Sequence, residues 1–374
     1  MMIHYIVGIA VSLLLIIYCL NLLRFYIGLT NLSSDSNPRQ FSVSVLIPAR
    51  NEAGRIAECL DRLIRQNFPM DKLEIIVIND RSEDETESVV LDYCSRYSNI
   101  RLINIEANHK KGSSKKYAIT MGIQKSNNDI IFTTDADCIS SPNWINEMIS
   151  HYDDDVGIVA GPVMIHPGTE TNIYLKIQSL EFTSLVIAGM GSAGFGRPII
   201  ANGANLSYRR SVFFDVNGFE GIETLPSGDD DLFIQKVNAE NMHKIVYTTE
   251  PDSIVYTNPV QSIKAFIHQR SRWASKGAHY NNKSLILYLV SVYLLYLYFI
   301  VSIPLAIVGC ISPLLPIALF IIKLSFDSLL IFKGLTILNR NDLFKYLPLA
   351  EIFQVIYVVI AGFLGFIGVY RWKE

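Results

Sequence analysis

What most constrains this chain is the placement of long charge-free apolar stretches on both sides of a middle region that has a different pattern. Residues 1–23 carry no Asp, Glu, Lys or Arg, and the segment Ile6 to Leu23 is long enough to span a bilayer. It lacks both the basic start and the small-residue cleavage site of a secretory leader, so it reads as an uncleaved anchor. From Ser284 to Ile322 the chain is again uncharged. A single helix of that length, rising about 1.5 Å per residue, would be twice as long as the hydrocarbon core is thick. Gly309, Pro313 and Pro316 supply a turn, which predicts two spans, 285–308 and 314–338. A third run, Pro348 to Tyr370 with Glu351 near its start, predicts a last span over 348–370. The expected organisation is an anchor over 1–23, a cytoplasmic domain over 41–283 and a membrane domain over 284–374.

Composition agrees. Apolar types make up 50% of the residues and charged types 18%, against about 25% charge in a soluble domain. An ordinary cytosolic globule and a disordered chain are both excluded. A net charge of -3 and a pI near 6.2 argue against nucleic acid as a partner. Five cysteines (Cys19, Cys59, Cys94, Cys138, Cys310) are scattered without a CxxC and read as reduced and buried.

Basic residues set the orientation. Arg24 and Arg39 follow the first span, and Lys264, Arg270, Arg272, Lys276 and Lys283 precede the second. Arg340 and Lys345 fall between the last two spans. With four spans all of these share one side, which should be the cytoplasm. The tail residues Arg371 and Lys373 then fall outside, against the rule. Lys323 and Asp327 share a helix face within the third span. They are either a functional ion pair or a pair that neutralises itself against a neighbouring helix.

The middle region alternates strand-like and helix-like patterns. Val43–Ile47, Leu73–Ile78, Ile100–Ile105 and Ile130–Thr134 read as strands. Ile56, Cys59, Leu60, Leu63 and Ile64 recur at helical spacing, and Thr86–Tyr97 and Lys115–Gln124 read as further helices. This alternation predicts a parallel α/β sheet with helices on both faces. Ligands of such sheets bind beyond the carboxyl ends of the strands. Asn51 and Glu52, Asn79 and Asp80, and Asp135 and Asp137 fall there.

Three clusters carry chemistry. In Thr133-Thr134-Asp135-Ala136-Asp137, strand geometry would point the two carboxylates the same way and offer oxygen ligands to Mg²⁺ or Mn²⁺. A solvated turn would show the same triplet. In Gly228-Asp229-Asp230-Asp231, one or two acids would cap the helix that follows, or one would face the crevice as a general base. Gln269-Arg270-Ser271-Arg272-Trp273 precedes a membrane span. It is either an interfacial anchor, or a site where Arg272 clamps a diphosphate and Trp273 stacks on a sugar. The stretch 174–197, apolar and then glycine-rich, reads either as an interfacial helix with a mobile loop or as a core helix with a loop.

In this fixed order the clusters resemble the membrane-embedded family 2 glycosyltransferases, the group of cellulose, hyaluronan and poly-N-acetylglucosamine synthases. The resemblance rests on Val45–Glu52, Ile76–Thr86, Lys115 with Ala118 and Gly122, Asp135-Ala136-Asp137, Gly203-Ala204-Asn205, Gly218-Phe219, the acidic run from Asp229, and Gln269–Trp273 as a QxxRW signature. It covers 41–275 and the flanking membrane plan. It implies a GT-A fold, a nucleotide-sugar-binding α/β domain with a mostly parallel sheet, flanked by one N-terminal and about three C-terminal transmembrane helices. It also implies inverting transfer of a sugar from a nucleotide donor, with UDP expected.

The resemblance further implies roles for single residues. Pro48, Ala49 and Glu52 would line the nucleoside pocket, and Asp80 would contact the base or ribose. Lys115 would approach the nucleotide. Asp135 would bind the donor diphosphate and help Asp137 hold a divalent cation. Gln269, Arg272 and Trp273 would serve the acceptor and diphosphate. Leu232, Ile234 and Ala239 set a register that makes Asp229 the base, with Asp230 as the fallback. That register puts Gly228 where relatives carry Glu. Arg81 stands where many relatives have Gly, which leads to the expectation that its φ is negative.

The partners so implied are the nucleotide-sugar donor, a lipid or glycan acceptor and membrane lipids, at a multi-pass site in the cell (inner) membrane. Four spans make a thin wall for a polymer channel. That favours a lipid-linked or short acceptor, or else an oligomer or an envelope-assembly partner. A catalytically inactive nucleotide-sugar-binding scaffold is the alternative, and the intact acidic set Asp80, Asp135, Asp137 and Asp229 together with Arg272 weighs against it. A transporter is disfavoured by the absence of an evident inverted repeat.

Overall fold

The computed structural model describes residues 2–32, 40–106 and 113–369, with no side-chain description for residues 2–4 and 278. Arg39, Tyr370, Arg371 and Lys373, which entered the reading of orientation and spans, lie outside the described residues. The chain divides into two compact units. One comprises 1–30, 170–187 and 259–374, and the other comprises 31–169 and 188–258.

The second unit is the α/β domain. Its strands are β1 (Val43–Ala49), β2 (Leu73–Asn79), β3 (Ile100–Asn104), β4 (Ile130–Thr133), β5 (Ile139–Ser140), β6 (Val156–Ala160), β7 (Val163–Ile165), β8 (Leu206–Arg209), β9 (Lys244–Tyr247) and β10 (Val255–Thr257). Seven of them form one sheet in the order β3-β2-β1-β4-β8-β6-β9, and β5-β10-β7 form a smaller one. The β3-β2-β1-β4 half is parallel throughout. Its strands are near-continuous Val and Ile runs because both faces are covered, so no polar alternation is needed. The helices α2 (Ile56–Ile64), α3 (Thr86–Arg96) and α4 (Ser114–Lys125) connect them, with α1 (Met2–Thr30) belonging to the other unit. These elements match the alternation read from the sequence to within two residues at each end. The sheet is mixed beyond β4, because β8 runs antiparallel to both β4 and β6.

Asn205 fixes that insertion. Fully buried at the start of β8, it accepts from Trp144 Nε1 at 2.9 Å and donates to the carbonyls of Pro162 and Ser253 at 2.8 and 2.7 Å. Three segments are thereby tied to the strand that adjoins the acidic loop after β4. The short helices α5 (Trp144–Ile149) and α7 (Arg210–Asp215), and α8 (Asp231–Glu240), complete this unit.

The first unit is helical. It contains α1, the first part of α6 (Ile173–Gly194), α9 (Ile263–Ser275), α10 (Lys283–Ile307), α11 (Leu314–Ile337) and α12 (Leu347–Phe366). Among the described residues, four helices are long and apolar enough to cross a bilayer: Tyr5–Thr30, Lys283–Ile307, Leu314–Ile337 and Asn341–Phe366. The first continues past Leu23 to Thr30, since Arg24 sits within it rather than ending it. The segment 259–283, read from the sequence with the α/β domain, groups with these helices. The reason is packing: the Cβ position of Gly365 on α12 lies 2.6 Å from the Ser271 carbonyl of α9, an approach that only a residue without a side chain allows. Residues 178–183 of α6 are all buried, as expected of a core helix.

Charge inside this unit is paired. Lys323 donates to Asp327 at 2.8 Å and also to Glu351 of α12. Tyr18 of α1 donates to Asp327 at 2.5 Å, and Tyr296 of α10 donates to Gln354 of α12 at 3.1 Å. Lys323 is fully buried with its ammonium 5.0 Å from the Tyr296 ring centroid. The pair noticed in the sequence is thus a triad, and polar contacts join all four membrane helices. Arg340, one of the residues that set the expected orientation, is buried against Glu170 at 2.6 Å. Arg270 is likewise buried against Glu181.

Removing Lys323 alone strands two carboxylates without a cation. Lys323→Met is expected to destabilise the detergent-solubilised protein by about 3–5 kcal/mol. The triple change Lys323→Met, Asp327→Leu, Glu351→Leu should recover most of that loss. Thermal unfolding of the three proteins checks this, and equal melting of both variants would contradict it.

Candidate active site

The carboxyl ends of β1, β2 and β4 lie side by side in register, with Ala49 opposite Asn79 and Leu46 opposite Thr133. The loops leaving them carry the acidic residues. After β1, the Glu52 N–H donates to Thr86 Oγ1 at 2.8 Å, and Arg55 lies 3.6 Å from both Glu52 and Asp137. Pro48 is half-buried, and Ala49 is buried with its carbonyl accepting the Asp80 N–H at 2.8 Å. After β2, Asp80 is buried and paired with Arg81 at 2.9 Å. Arg81 Nη2 reaches Ser114 Oγ at 3.4 Å, the residue before Lys115.

Lys115 is the centre of the arrangement. Its ammonium lies 2.8 Å from Asp135 Oδ1 and 3.2 Å from Asp229 Oδ2. The triplet after β4 and the acidic turn before α8 therefore meet on one cation at the sheet's carboxyl edge. Burial by itself disfavours the charged amine, but Asp135 and Asp229 outweigh it and hold the Lys115 pKa above its ordinary value. Asp229 is 8% exposed, while Asp135 remains 38% exposed, so only the latter presents an open carboxylate face. Asp230 spends both oxygens on main-chain N–H groups: Asp231 at 2.7 Å and Gly203 at 3.2 Å. That is a capping arrangement, and it distinguishes Asp230 from Asp229, whose Oδ2 faces Lys115.

Asp135, Asp137 and Cys138 each offer a ligand atom, all within 4.8 Å of one another. Asp135 and Asp137 do not converge through the pleat of a strand, because β4 ends at Thr133. A turn closed by Cys138 N–H to Asp135 O at 3.1 Å brings them together. Two carboxylates, part exposed, suit a hard divalent cation. The Cys138 thiol does not, because sulfur is a soft ligand; burial and the two adjacent carboxylates also push its pKa up.

Two positions differ from expectation or explain a departure. Arg81 has φ +55°, against the negative φ expected for a side chain there. The turn after β2 keeps its left-handed geometry, and the Arg81 pairing with Asp80 and contact with Ser114 offset a cost of about 1–2 kcal/mol. Gly228, where relatives carry Glu, has φ +93°, and a Cβ there would collide with Leu232. The turn that delivers Asp229 in this chain excludes a side chain at that position.

Gln269, Arg272 and Trp273 lie on α9 in the helical unit. Gln269 Oε1 accepts from Arg270 at 2.6 Å, and the Arg270 guanidinium covers the Trp273 ring at 4.2 Å. Tyr357 donates to Glu181 at 2.6 Å, completing a buried Arg270–Glu181–Tyr357 group. Arg270 was read only as a topology residue. Lys116, 1% exposed, carries no motif that marks it in the sequence. Its spacing to the buried Ile119 and Ile123 on one helix face was the available signal.

A mostly parallel α/β sheet with an acidic set beyond β1, β2 and β4 is an architecture of GT-A type. The comparisons narrow this to a family. The profile described as "Glycosyl transferase family 2" matches 44–215, and "Glycosyl transferase family group 2" matches 130–339, more than half of the chain. The chain belongs to the family 2 glycosyltransferases. It is 28% identical over 247 residues to "Probable glycosyltransferase YdaM" of Bacillus subtilis, covering 64% of this chain and 55% of that protein. It is 24% identical over 241 residues to "Poly-beta-1,6-N-acetyl-D-glucosamine synthase" of Staphylococcus epidermidis, covering 63% and 54%. The chain thus spans little more than half the length of these relatives. Among solved structures, the mannosyltransferase PcManGT from Pyrobaculum calidifontis, in complex with GDP-Man and Mn²⁺, shares the fold. That match has a TM-score of 0.57 at 18% identity, over 93% of this chain and 97% of that one.

A Cβ on Gly203 would lie 2.9 Å from Asp229 Oδ2 and 3.6 Å from Lys115 Nζ. Gly203→Ala should displace the Asp229 carboxylate and lower turnover about 100-fold. Its melting temperature should stay close to wild type. Steady-state rates and thermal unfolding check this, and an unchanged rate would contradict the placement.

Proposed function

We propose that this protein is an inverting glycosyltransferase that moves a sugar from UDP to a lipid-linked or polysaccharide acceptor at the cytoplasmic membrane face. The observation that carries the proposal is the shared contact of Asp135 and Asp229 with Lys115. Donor-binding and proton-accepting groups then sit at one place. The family supports the reaction class, and relatives named as synthases of glycans support the acceptor class. The basic residues Arg24, Lys264, Lys276, Lys283 and Lys345 support a cytoplasmic catalytic unit.

In this reading Pro48, Ala49, Glu52 and Asp80 bind the nucleoside. Asp135 and Asp137 would hold Mg²⁺ or Mn²⁺, which when bound neutralises charge on the departing diphosphate. Lys115 turns its ammonium from Asp229 to the incoming diphosphate, which frees the Asp229 carboxylate. Asp229 then takes the proton from the acceptor hydroxyl as its oxygen bonds to the anomeric carbon and the bond to the diphosphate breaks. Gln269, Arg272 and Trp273 serve the acceptor and diphosphate.

The test is UDP release from a panel of UDP-sugars by the detergent-purified protein, with and without lipid extract. Chelation of divalent metal should abolish turnover, and Mn²⁺ or Mg²⁺ should restore it. Asp137→Asn should remove the metal response. Asp229→Asn should lower turnover by about 10²–10⁴-fold while leaving UDP affinity near wild type. A wild-type rate in Asp229→Asn overturns the base assignment. Nucleotide binding without any turnover of the wild-type protein would favour an inactive scaffold.

A further inference from the structure

We infer that Lys116 is a positioning residue that holds the 219–228 loop, and through it Asp229, in place. The inference deepens the proposed function, and it rests on the assignment of Asp229 as the base. The segment between α7 and α8 has no strand or helix of its own. A few turns close within it, with Asn217 O, Phe219 O and Ile222 O accepting from Glu220, Ile222 and Leu225, and the remaining acceptor capacity needs partners from elsewhere. Lys116 Nζ supplies them, donating to Ile222 O at 2.6 Å, Leu225 O at 3.0 Å and Ser227 O at 2.8 Å. An ammonium has three donors, and here three carbonyls of one loop accept them. The Ser113 N–H adds a bond to Glu223 O at 2.8 Å. At the loop's other end, Lys236 of α8 donates to Gly218 O and Glu220 O at 3.0 and 2.9 Å.

The last carbonyl that Lys116 holds is Ser227, two residues before Asp229. Between them lies Gly228, whose φ of +93° sets the turn. Successive residues of α4 thus divide the work. Lys115 meets the Asp229 carboxylate, and Lys116 holds the backbone that presents it. A buried ammonium whose donors are matched by carbonyls of one loop is costly to keep and costly to lose. A methionine of similar length would take the ammonium from all three carbonyls, leaving Ile222 O only the Leu225 N–H at 3.3 Å.

The experiment uses the full chain in detergent and has two arms. In the first, hydrogen exchange of peptides covering 219–230 is compared between wild type and Lys116→Met. Exchange there should rise about tenfold or more, with the β1 and β2 peptides unchanged. In the second, UDP release is measured for Lys116→Met, Asp229→Asn and the double variant. Lys116→Met should lower kcat about 100-fold, with donor KM and affinity for UDP plus Mn²⁺ within about threefold of wild type. The double variant should be no slower than Asp229→Asn, because one residue acts through the other.

Unchanged exchange in 219–230 overturns the inference, and so do losses that multiply in the double variant. If Lys116→Met does not fold, Lys116→Gln, which keeps two N–H donors, is measured instead. It should show a smaller rise in exchange and a smaller fall in kcat, and no change in either overturns the inference. A wild-type rate in Asp229→Asn alone would overturn the base assignment and the Asp229 link, while the exchange arm would still decide whether Lys116 holds the loop.

Discussion

The contact of one lysine with two carboxylates, Asp135 after β4 and Asp229 before α8, organises the candidate site. Without a cation between them, two acids brought this close would repel one another and disfavour the charged state of at least one. With Lys115 there, the set is held together and half neutralised before any ligand arrives. In the proposed reaction a diphosphate competes for the same ammonium, so donor binding and release of Asp229 are coupled by charge. The surrounding backbone is arranged to keep the distances short. Gly203 leaves room for the carboxylate, Gly228 makes the turn, and Asn205 ties the strand beside them to its neighbours.

The helical unit follows the same electrostatic rule. Lys323 with Asp327 and Glu351, Arg270 with Glu181, and Arg340 with Glu170 are each buried pairs or triads. A charge taken out of water persists only when an opposite charge and further hydrogen bonds meet it. Tyr18 and Tyr357 supply such bonds to Asp327 and Glu181. Arg270 and Arg340, basic residues that set the expected orientation, are internal struts of this unit.

The parallel half of the sheet and the membrane helices were legible because each rests on a strong local signal. Those signals are buried Val and Ile runs punctuated by amphipathic helices, and long uncharged stretches. The acidic residues of the site were legible from their order along the chain and their place after strands. Other features were not. Whether Asp229 or Asp230 faces Lys115 depends on a turn whose geometry Gly228 sets, and a three-aspartate run looks alike from either register. The left-handed Arg81 was read the other way, because a single position does not show that a side-chain pairing with Asp80 sustains the strain. Nor do residues that act on distant backbone carbonyls, such as Lys116, leave more than a helical spacing in the sequence.

In the proposed reaction the acids after β4 hold a divalent cation at the place where the diphosphate lies. Crystals of the full chain soaked with UDP and Mn²⁺, measured at the manganese absorption edge, test it most directly. The account predicts an anomalous peak bonded to Asp137 and beside Asp135, with diphosphate oxygens on its far side and Lys115 turned toward them. UDP bound elsewhere, or bound in this crevice with manganese absent from the Asp135–Asp137 turn, would contradict it.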